Sequence, residues 1–289
     1  RGDPQVKLRV GAVTHTINAA ETWGADDYFW FGNNYRFLHI AEVTDYASLG
    51  LQTYTISDFG CESDCEMRRD GVGLLVVYED ASLPYNRLVI KDGLDRGHRR
   101  WAEGPRAETA VNCFDVVPTG AEFDLELSMF IAGVENANRP NALWYQAGTG
   151  PKPVDWLNAY QNAPATDPTA AGAVLLHGPV GANKDYPFTA ADGGEWDTYT
   201  NTVTIPSTAT WLCLQVESDS DSHGGTPASL AQIVNAGVFP LDYDMGDLPD
   251  IYSTTLTTNG PLHSRGNAWL GALWDAEEDG APNDYADGD

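Results

Sequence analysis

Hydrophobic and polar residues alternate with a period of two along most of this chain, which is the pattern of half-buried β-strands. Val, Ile, Thr, Tyr and Trp fill the alternating runs, and Gly, Pro, Asn and Asp separate them. The pattern predicts strands over Val6–Val10, Ala12–Ile17, Arg36–Val43, Thr53–Ser57, Gly73–Glu79, Arg87–Lys91, Ala110–Val117, Glu122–Phe130, Ala142–Gln146, Ala173–Leu176, Asp197–Ile205, Trp211–Glu217 and Gln232–Phe239. Many short strands divided by turn residues predict an all-β protein, built as an antiparallel, jelly-roll-like β-sandwich.

Three stretches depart from this alternation. Val72–Tyr78 is nearly all apolar, so it is predicted to be a central strand covered on both faces. Val154–Tyr160 and Ser229–Ile233 are predicted to form short helical turns. No longer helix is expected, because no other window carries a sustained apolar stripe with a helical period.

The regular alternation ends near Pro240, after which Gly, Asp and Thr become more frequent. The length of 289 residues suits one large all-β domain or two smaller units. We therefore expect a β-sandwich domain over residues 1–240 and an extended, loop-rich acidic C-terminal segment over residues 241–289.

The acidic segment carries two groups of carboxylates among Gly, Pro and Asn, which makes it a candidate for calcium binding. Ca²⁺ takes about 6–8 oxygen ligands in flexible geometry. The spacing is not that of an EF-hand, and a solvated, self-repelling segment explains the same composition without a metal. The candidate ligands are Asp242, Asp244, Asp247, Asp250, Asp275, Glu277, Asp279, Asp284, Asp287 and Asp289.

The net charge of −26, from 42 acidic and 16 basic residues, bounds the partners. Nucleic acid is not expected as a partner, because binding phosphates needs basic patches. Membrane insertion is not expected either, because no apolar run reaches the roughly 18 residues of a membrane span. The sequence begins with Arg1 rather than Met, which fits an exported protein whose leader has been removed.

Four cysteines also favour a secreted, extracellular location at the cell surface, because disulfides persist in oxidising compartments. Cys61 and Cys65 lie in a polar stretch, whereas Cys113 and Cys213 lie in apolar, strand-like runs. Four cysteines allow three connectivities, of which Cys61–Cys65 with Cys113–Cys213 is the favoured one; free thiols are the alternative. Zinc is less consistent with the spacing, because no second ligand pair accompanies Cys61 and Cys65.

No motif of catalysis stands out. The six histidines lack metalloprotease spacing, and no nucleophile elbow, phosphate loop or dinucleotide fingerprint occurs. A glycosidase needs two carboxylates across a cleft, but 42 acidic residues will always provide such a pair. The sequence therefore predicts no enzyme and no catalytic residue.

Residues from about Val6 to Pro240 resemble a β-sandwich family found in large secreted surface proteins of bacteria and archaea. The matching stretches read HIAEVTDY, QTYTISDF, GVGLLVVYEDASLPYNRLVIKDGLD, GGEWDTYTNTVTIP and WLCLQVESDSD. The third stretch resembles the family's LVVVYEDPSLP hairpin, with Ala81 in place of a frequent proline. The resemblance implies a secreted location and a sandwich architecture, not an activity.

The last part of the chain resembles the acidic segment that precedes GEVED-type modules in such multidomain proteins. The matching residues are Gly246, Asp247, Pro249, Asp250, Tyr252, Thr254, Gly260, Pro261, His263, Leu270, Gly271, Asp275, Ala276, Glu277, Asp279, Gly280, Pro282, Ala286, Gly288 and Asp289. In the family this segment runs into further modules, whereas here the sequence stops. The family's usual opening strand is also not found ahead of Val6.

A sandwich without that strand leaves an open sheet edge, and open edges invite pairing with another chain. Head-to-tail contacts that do not close on themselves produce filaments. We therefore expect an extracellular structural protein: a subunit that binds copies of itself, by exchanging a strand or the acidic segment, in a cell-surface filament or layer.

A calcium-dependent, carbohydrate-binding adhesin module is the alternative. It would bind extracellular glycans by stacking sugars on exposed tryptophans, so exposure of these side chains distinguishes the two hypotheses. The tryptophans concerned are Trp144, Trp156, Trp211, Trp269 and Trp274.

Overall fold

The computed structural model describes residues 4–24, 37–48, 50–60, 71–80, 86–98, 108–132, 141–153, 174–177, 196–218, 229–240, 243–245, 249–253, 255 and 262–264. These residues form fifteen strands, and two short 3-10 turns lie at Thr44–Tyr46 and Asp250–Tyr252. The strands are β1 Gln5–Val10, β2 Val13–Asn18, β3 Glu21–Trp23, β4 Leu38–Ile40, β5 Tyr54–Ser57, β6 Asn86–His98, β7 Asn112–Asp115, β8 Phe123–Ala132, β9 Asn141–Gly148, β10 Val174–His177, β11 Trp196–Ile205, β12 Trp211–Ser218, β13 Ser229–Pro240, β14 Tyr243–Met245 and β15 Leu262–Ser264.

Two four-stranded sheets contain most of these strands. Sheet I has the order β11-β8-β13-β6, and sheet II has the order β10-β9-β12-β7. A three-stranded sheet, β2-β1-β5, and two strand pairs, β3-β4 and β14-β15, complete the described part. Every pairing between these strands is antiparallel, so the predicted antiparallel all-β fold is confirmed.

One hydrophobic core takes side chains from both large sheets. The first half of β8 alternates: Leu125 and Leu127 are fully buried, whereas the neighbouring Asp124 and Glu126 are exposed. Sheet II contributes Phe114, Leu143, Leu212, Leu214 and Val216 to the same core, and Val116 joins them directly after β7. Full burial of each large apolar side chain stabilises the fold by about 1.5–3 kcal/mol. The jelly-roll-like sandwich itself stays a prediction.

Two of the sequence predictions are wrong. Ser229–Ile233, predicted as a helical turn, lies in β13, which pairs with β8 on one side and β6 on the other. Hydrogen bonding to strands on both sides outweighs the weak helical tendency of five residues. The other predicted turn, Val154–Tyr160, lies outside the described residues.

The second wrong prediction is the strand over Gly73–Glu79, together with the central, doubly covered position predicted for Val72–Tyr78. Residues 71–80 contain no strand, and most of their side chains are exposed. The central positions of sheet I are filled by β8 and β13, and those of sheet II by β9 and β12. The C-terminal half of β8 is buried on both faces, with Met129 on one face and Phe130 on the other, and β12 is buried at each position from Trp211 to Val216.

Candidate functional site

Val72–Tyr78, called here the apolar segment, is the most unusual surface of the described part. Five consecutive large apolar residues are exposed: Leu74 40%, Leu75 38%, Val76 60%, Val77 61% and Tyr78 71%. Elsewhere in the described ranges, no more than two exposed large apolar residues follow one another. A contiguous exposed apolar patch of this kind marks an interaction surface in soluble proteins.

Two glycines hold this part of the chain against sheet I. A Cβ atom at Gly71 would lie 2.5 Å from Cβ of Trp196, and one at Gly73 would lie 2.6 Å from Cε2 of Phe130. The rings of Phe130 and Trp196 are themselves in contact, with centroids 5.6 Å apart. Only a residue without a Cβ allows the backbone to approach two aromatic rings so closely.

The small cluster beneath these glycines covers one end of sheet I on the face away from the main core. Phe130 and Trp196 are buried there with Ala132, and Leu38 and Leu94 pack against them. The rest of the same face is mixed: Ser128 lies opposite Ala236, which in turn lies opposite Ile90, 44% exposed. Ser128 and Thr200 share a hydrogen bond of 3.0 Å. The end of this face where Gly71 and Gly73 lie is therefore the part that carries a buried apolar cluster.

The apolar segment has a strong preference for β-structure but forms no ladder with any strand among the described residues. In an extended chain alternate side chains point to opposite sides. Leu74, Val76 and Tyr78 would then form one apolar face, and Leu75 and Val77 the other. The segment therefore has the composition of a buried strand in an exposed position.

A second surface joins the outer strands β6 and β7. Arg87 and Lys91 on β6 reach across to β7, where Nη2 of Arg87 donates to the carbonyl of Asp115 at 2.5 Å and Nζ of Lys91 donates to the carbonyl of Cys113. Nζ of Lys152 forms a salt bridge with the Asp115 carboxylate. We call Arg87, Lys91 and Lys152 the basic seam.

Strand register explains why the basic seam forms here. Cys113 lies opposite Cys213 on β12 with a Cα–Cα distance of 4.0 Å, the short spacing of a pair that does not share ladder hydrogen bonds. The carbonyls of Cys113 and, two residues on, Asp115 consequently point away from β12. Arg87 and Lys91 satisfy these carbonyls, so the outer edge of β7 is capped by side chains rather than open to another strand.

The charged groups of the two β6 bases lie over aromatic rings at the margin of the core. Cζ of Arg87 lies 4.8 Å from the centroid of Phe239, and Nζ of Lys91 lies 5.3 Å from the centroid of Phe114. The two rings contact each other across the sheets with centroids 5.6 Å apart. A cation over an aromatic face is attracted by the negative face of the ring.

The charges in the seam perturb one another. Burial, followed by repulsion from Lys152, lowers the pKa of Lys91, and attraction to Asp115 only partly offsets this. The hydrogen bond from Lys152 is the main cause that lowers the pKa of Asp115. Three bases surround one carboxylate, so the seam has an excess of positive charge in a chain of net charge −26.

The Cys113–Cys213 disulfide is present and the predicted pairing of these two residues is confirmed. It joins neighbouring strands of sheet II and closes a loop with a sequence separation of 100. The predicted partner pair, Cys61 and Cys65, lies outside the described residues.

The calcium hypothesis stays a prediction. Of the ten candidate ligands, the structure places two in elements: Asp244 in β14 and Asp250 in a 3-10 turn. Within the described ranges, no three His, Cys, Asp or Glu residues are grouped so as to hold a metal ion. Outside those ranges lie Asp242, Asp247, Asp275, Glu277, Asp279, Asp284, Asp287 and Asp289.

Two of the five tryptophans named for sugar stacking lie in the described part, and both are buried. Trp144 and Trp211 are each only 5% exposed. Nε1 of Trp211 donates to the carbonyl of Gly150 at 3.1 Å, so its polar atom is used within the chain. Trp156, Trp269 and Trp274 lie outside the described residues.

Sequence reasoning missed the basic seam. One sequence feature could have indicated it: only four lysines occur in the chain, and two of them, Lys91 and Lys152, lie in the seam. Arg87 and Lys91 also occupy alternate positions with Val89, which packs against the core, so their strand places bases on an inward-facing side. Charged residues at such positions are a device for protecting sheet edges.

No helix in the described part of the chain is long and apolar enough to span a membrane. Comparison of the sequence and fold with protein-family models, with curated proteins and with solved structures finds no match.

Proposed function

We propose that this chain is an extracellular structural protein, a self-assembling subunit of a cell-surface filament or layer, in which copies bind one another through the apolar segment. The observation that carries the proposal is the run of five exposed large apolar side chains from Leu74 to Tyr78. A run of this composition is expected inside a β-sheet, and a second copy of the chain provides a sheet to which it can add.

Strand addition is the mode of contact that suits the segment best. An extended peptide that adds to a sheet edge gains main-chain hydrogen bonds, and its alternate side chains enter apolar pockets. Among the described strands, β2, β5, β10 and β11 lie at outer positions of their sheets, in addition to the capped β7 and its neighbour β6. The acceptor edge is therefore expected at one of the uncapped outer strands.

The free energy of burial favours a weak contact that is repeated between many copies, rather than a single tight contact. Burying a large apolar side chain contributes about 1.5–3 kcal/mol, whereas association costs about 4–15 kcal/mol in lost freedom. Five partly exposed side chains yield only a modest surplus. A segment on one surface and an acceptor on another form a heterologous contact, which extends into a filament when it does not close.

Two further features support an extracellular location. The Cys113–Cys213 disulfide is of the kind that persists in oxidising compartments. The charge of −26 keeps separate copies soluble, so that association depends on a specific contact rather than on nonspecific aggregation.

The test is a comparison of assembly in three proteins. Val76→Ser with Val77→Ser removes apolar surface from the segment, and Leu51→Ser with Val117→Ser is the control at exposed apolar residues outside the strands, 101% and 42% exposed. Sedimentation over a concentration series should show assembly of the natural chain and of the control, and monomers of the segment variant with an unchanged melting temperature. A natural chain that sediments as a monomer at every concentration would contradict the proposal.

A further inference from the structure

We propose that the basic seam of Arg87, Lys91 and Lys152 is a docking site for the acid-rich stretch 275–289 of a second copy of this chain. This inference deepens the proposed function and rests on it, because it names a second contact between subunits. The proposal rests on the grouping of three bases around Asp115 in a chain that has 42 acidic and 16 basic residues. Arg87 donates to the Asp115 carbonyl, Lys152 to its carboxylate, and Lys91 to the carbonyl of the nearby Cys113.

Each base of the seam has more N–H donors than the hydrogen bonds described above use. Nη2 of Arg87 donates to the Asp115 carbonyl, Nζ of Lys91 to the Cys113 carbonyl, and Nζ of Lys152 to the Asp115 carboxylate. A guanidinium has five N–H donors and an ammonium has three. The Lys152 side chain is 42% exposed, so a ligand can reach it from solvent. The bases of the seam can therefore donate to further carboxylates without losing their contacts to β7.

Residues 275–289 have the matching chemistry. They read DAEEDGAPNDYADGD, with seven carboxylates and no basic residue. Charge-assisted hydrogen bonds from Arg and Lys to carboxylates are stronger than neutral ones, and a guanidinium binds a carboxylate in a bidentate manner. Asp275, Glu277, Glu278 and Asp279 are close enough in sequence to supply several carboxylates to one small basic surface.

In our proposal the acid-rich stretch comes from a second copy, because two negatively charged copies need a positive surface where they meet. Two chains of net charge −26 repel each other, so a stable contact between them needs a local surface of opposite sign. The basic seam provides that surface. It lies at the capped edge of β7, where strand addition is blocked, and is thus a separate contact from the one made by the apolar segment.

Zero-length carbodiimide coupling of the full chain tests the proposal, because it joins an amine only to a carboxylate in direct contact. The experiment uses assembled mixtures of ¹⁵N-labelled and unlabelled copies, with linked peptides read by mass spectrometry. We expect links from Lys152 to carboxylates of 275–289 that join labelled to unlabelled peptides, in several-fold excess over links from Lys7. Lys7, whose Nζ donates to the Thr16 hydroxyl, is the matched control, and the Lys152–Asp115 link reports that coupling worked.

A second measurement uses Lys152→Gln, which removes a charge from an exposed side chain. This variant should keep its melting temperature but need a several-fold higher concentration to assemble, whereas Lys7→Gln should assemble like the natural chain. Copies that assemble while 275–289 couples equally to Lys7 and Lys152, or couples only within one copy, would overturn the docking site and leave the proposed function standing. Failure of the natural chain to assemble at all overturns the proposed function instead.

Discussion

At the scale of single residues, Gly71 and Gly73 determine how closely the backbone approaches the Phe130–Trp196 cluster. Neither position has room for a Cβ, since the nearest aromatic atoms lie 2.5–2.6 Å from where that atom would be. The two rings are buried and held by neighbours, so they have little freedom to move away. Glycine at these positions thus keeps the apolar segment on the outer face of sheet I.

We expect Gly73→Ala to reduce the free energy of unfolding by about 1–3 kcal/mol, the range observed when a methyl group is forced into a packed site. Val76→Ala, three residues on and 60% exposed, is the matched control and should change stability by less than about 0.5 kcal/mol. Urea denaturation measures both. Equal effects of the two substitutions would show that the glycine does not pack as described.

The Cys113–Cys213 disulfide closes a loop with a sequence separation of 100. Cross-linking a long loop restricts the unfolded chain, which typically contributes about 2–5 kcal/mol to stability. We expect a reducing agent to lower the melting temperature, and to do so equally in a Cys61→Ala/Cys65→Ala variant, because any bond between those residues closes only a short loop. Loss of the effect in that variant would assign the stabilisation to Cys61 and Cys65 instead.

At the scale of strands, the basic seam protects β7 from unwanted pairing. Hydrogen bonds to charged donors contribute more than neutral ones, but partial exposure reduces the gain. We expect Arg87→Ala with Lys91→Ala to reduce the free energy of unfolding by about 1–2 kcal/mol and to accelerate hydrogen exchange in β7. Lys7→Ala, which removes only an exposed bond to Thr16, should leave both quantities unchanged. Unchanged β7 exchange in the double variant would contradict the capping role.

The salt bridge between Lys152 and Asp115 predicts a pH dependence. The pKa of Asp115 is lower in the folded state than its ordinary value of 3.8, mainly because of the hydrogen bond from Lys152. Its stabilising contribution is therefore complete above pH 3.8 and is lost as the pH falls through the lower pKa of the folded state. Asp115→Asn should remove this part of the acid dependence of the melting temperature and leave stability near pH 7 little changed, because the pair is exposed.

Strands with strict alternation were predictable because burial in this fold follows the period of two. β8 and β12 match their predicted ranges to within two residues. Core and solvent faces alternate along the first half of β8, and Trp211 to Val216 of β12 form a run of buried residues. The apolar segment was not predictable as exposed, because composition does not reveal that β8 and β13 already fill the central positions of sheet I. The basic seam joins residues up to 65 positions apart, from Arg87 to Lys152, so only the pairing of sheets brings it together.

At the scale of the whole molecule, charge and apolar surface act against each other. The charge of −26 repels other copies over distances that depend on salt, since the Debye length falls from about 30 Å at 0.01 M to about 8 Å at 0.15 M. The apolar contact is not screened. We expect assembly measured by light scattering to be promoted when salt rises through this range. The concentration that Lys152→Gln needs for assembly should exceed that of the natural chain most strongly at low salt. A difference between the two chains that does not vary with salt would contradict an ionic role for the seam.

The most direct measurement of the central claim is hydrogen exchange across Val72–Tyr78 in dilute and in concentrated samples of the full chain. Amides of this segment form no ladder within the described part of one copy, so they should exchange rapidly when copies are separate. The account predicts that they become protected in step with assembly, while amides of β8 are protected at every concentration. Assembly that leaves residues 72–78 exchanging as rapidly as in dilute samples would contradict it.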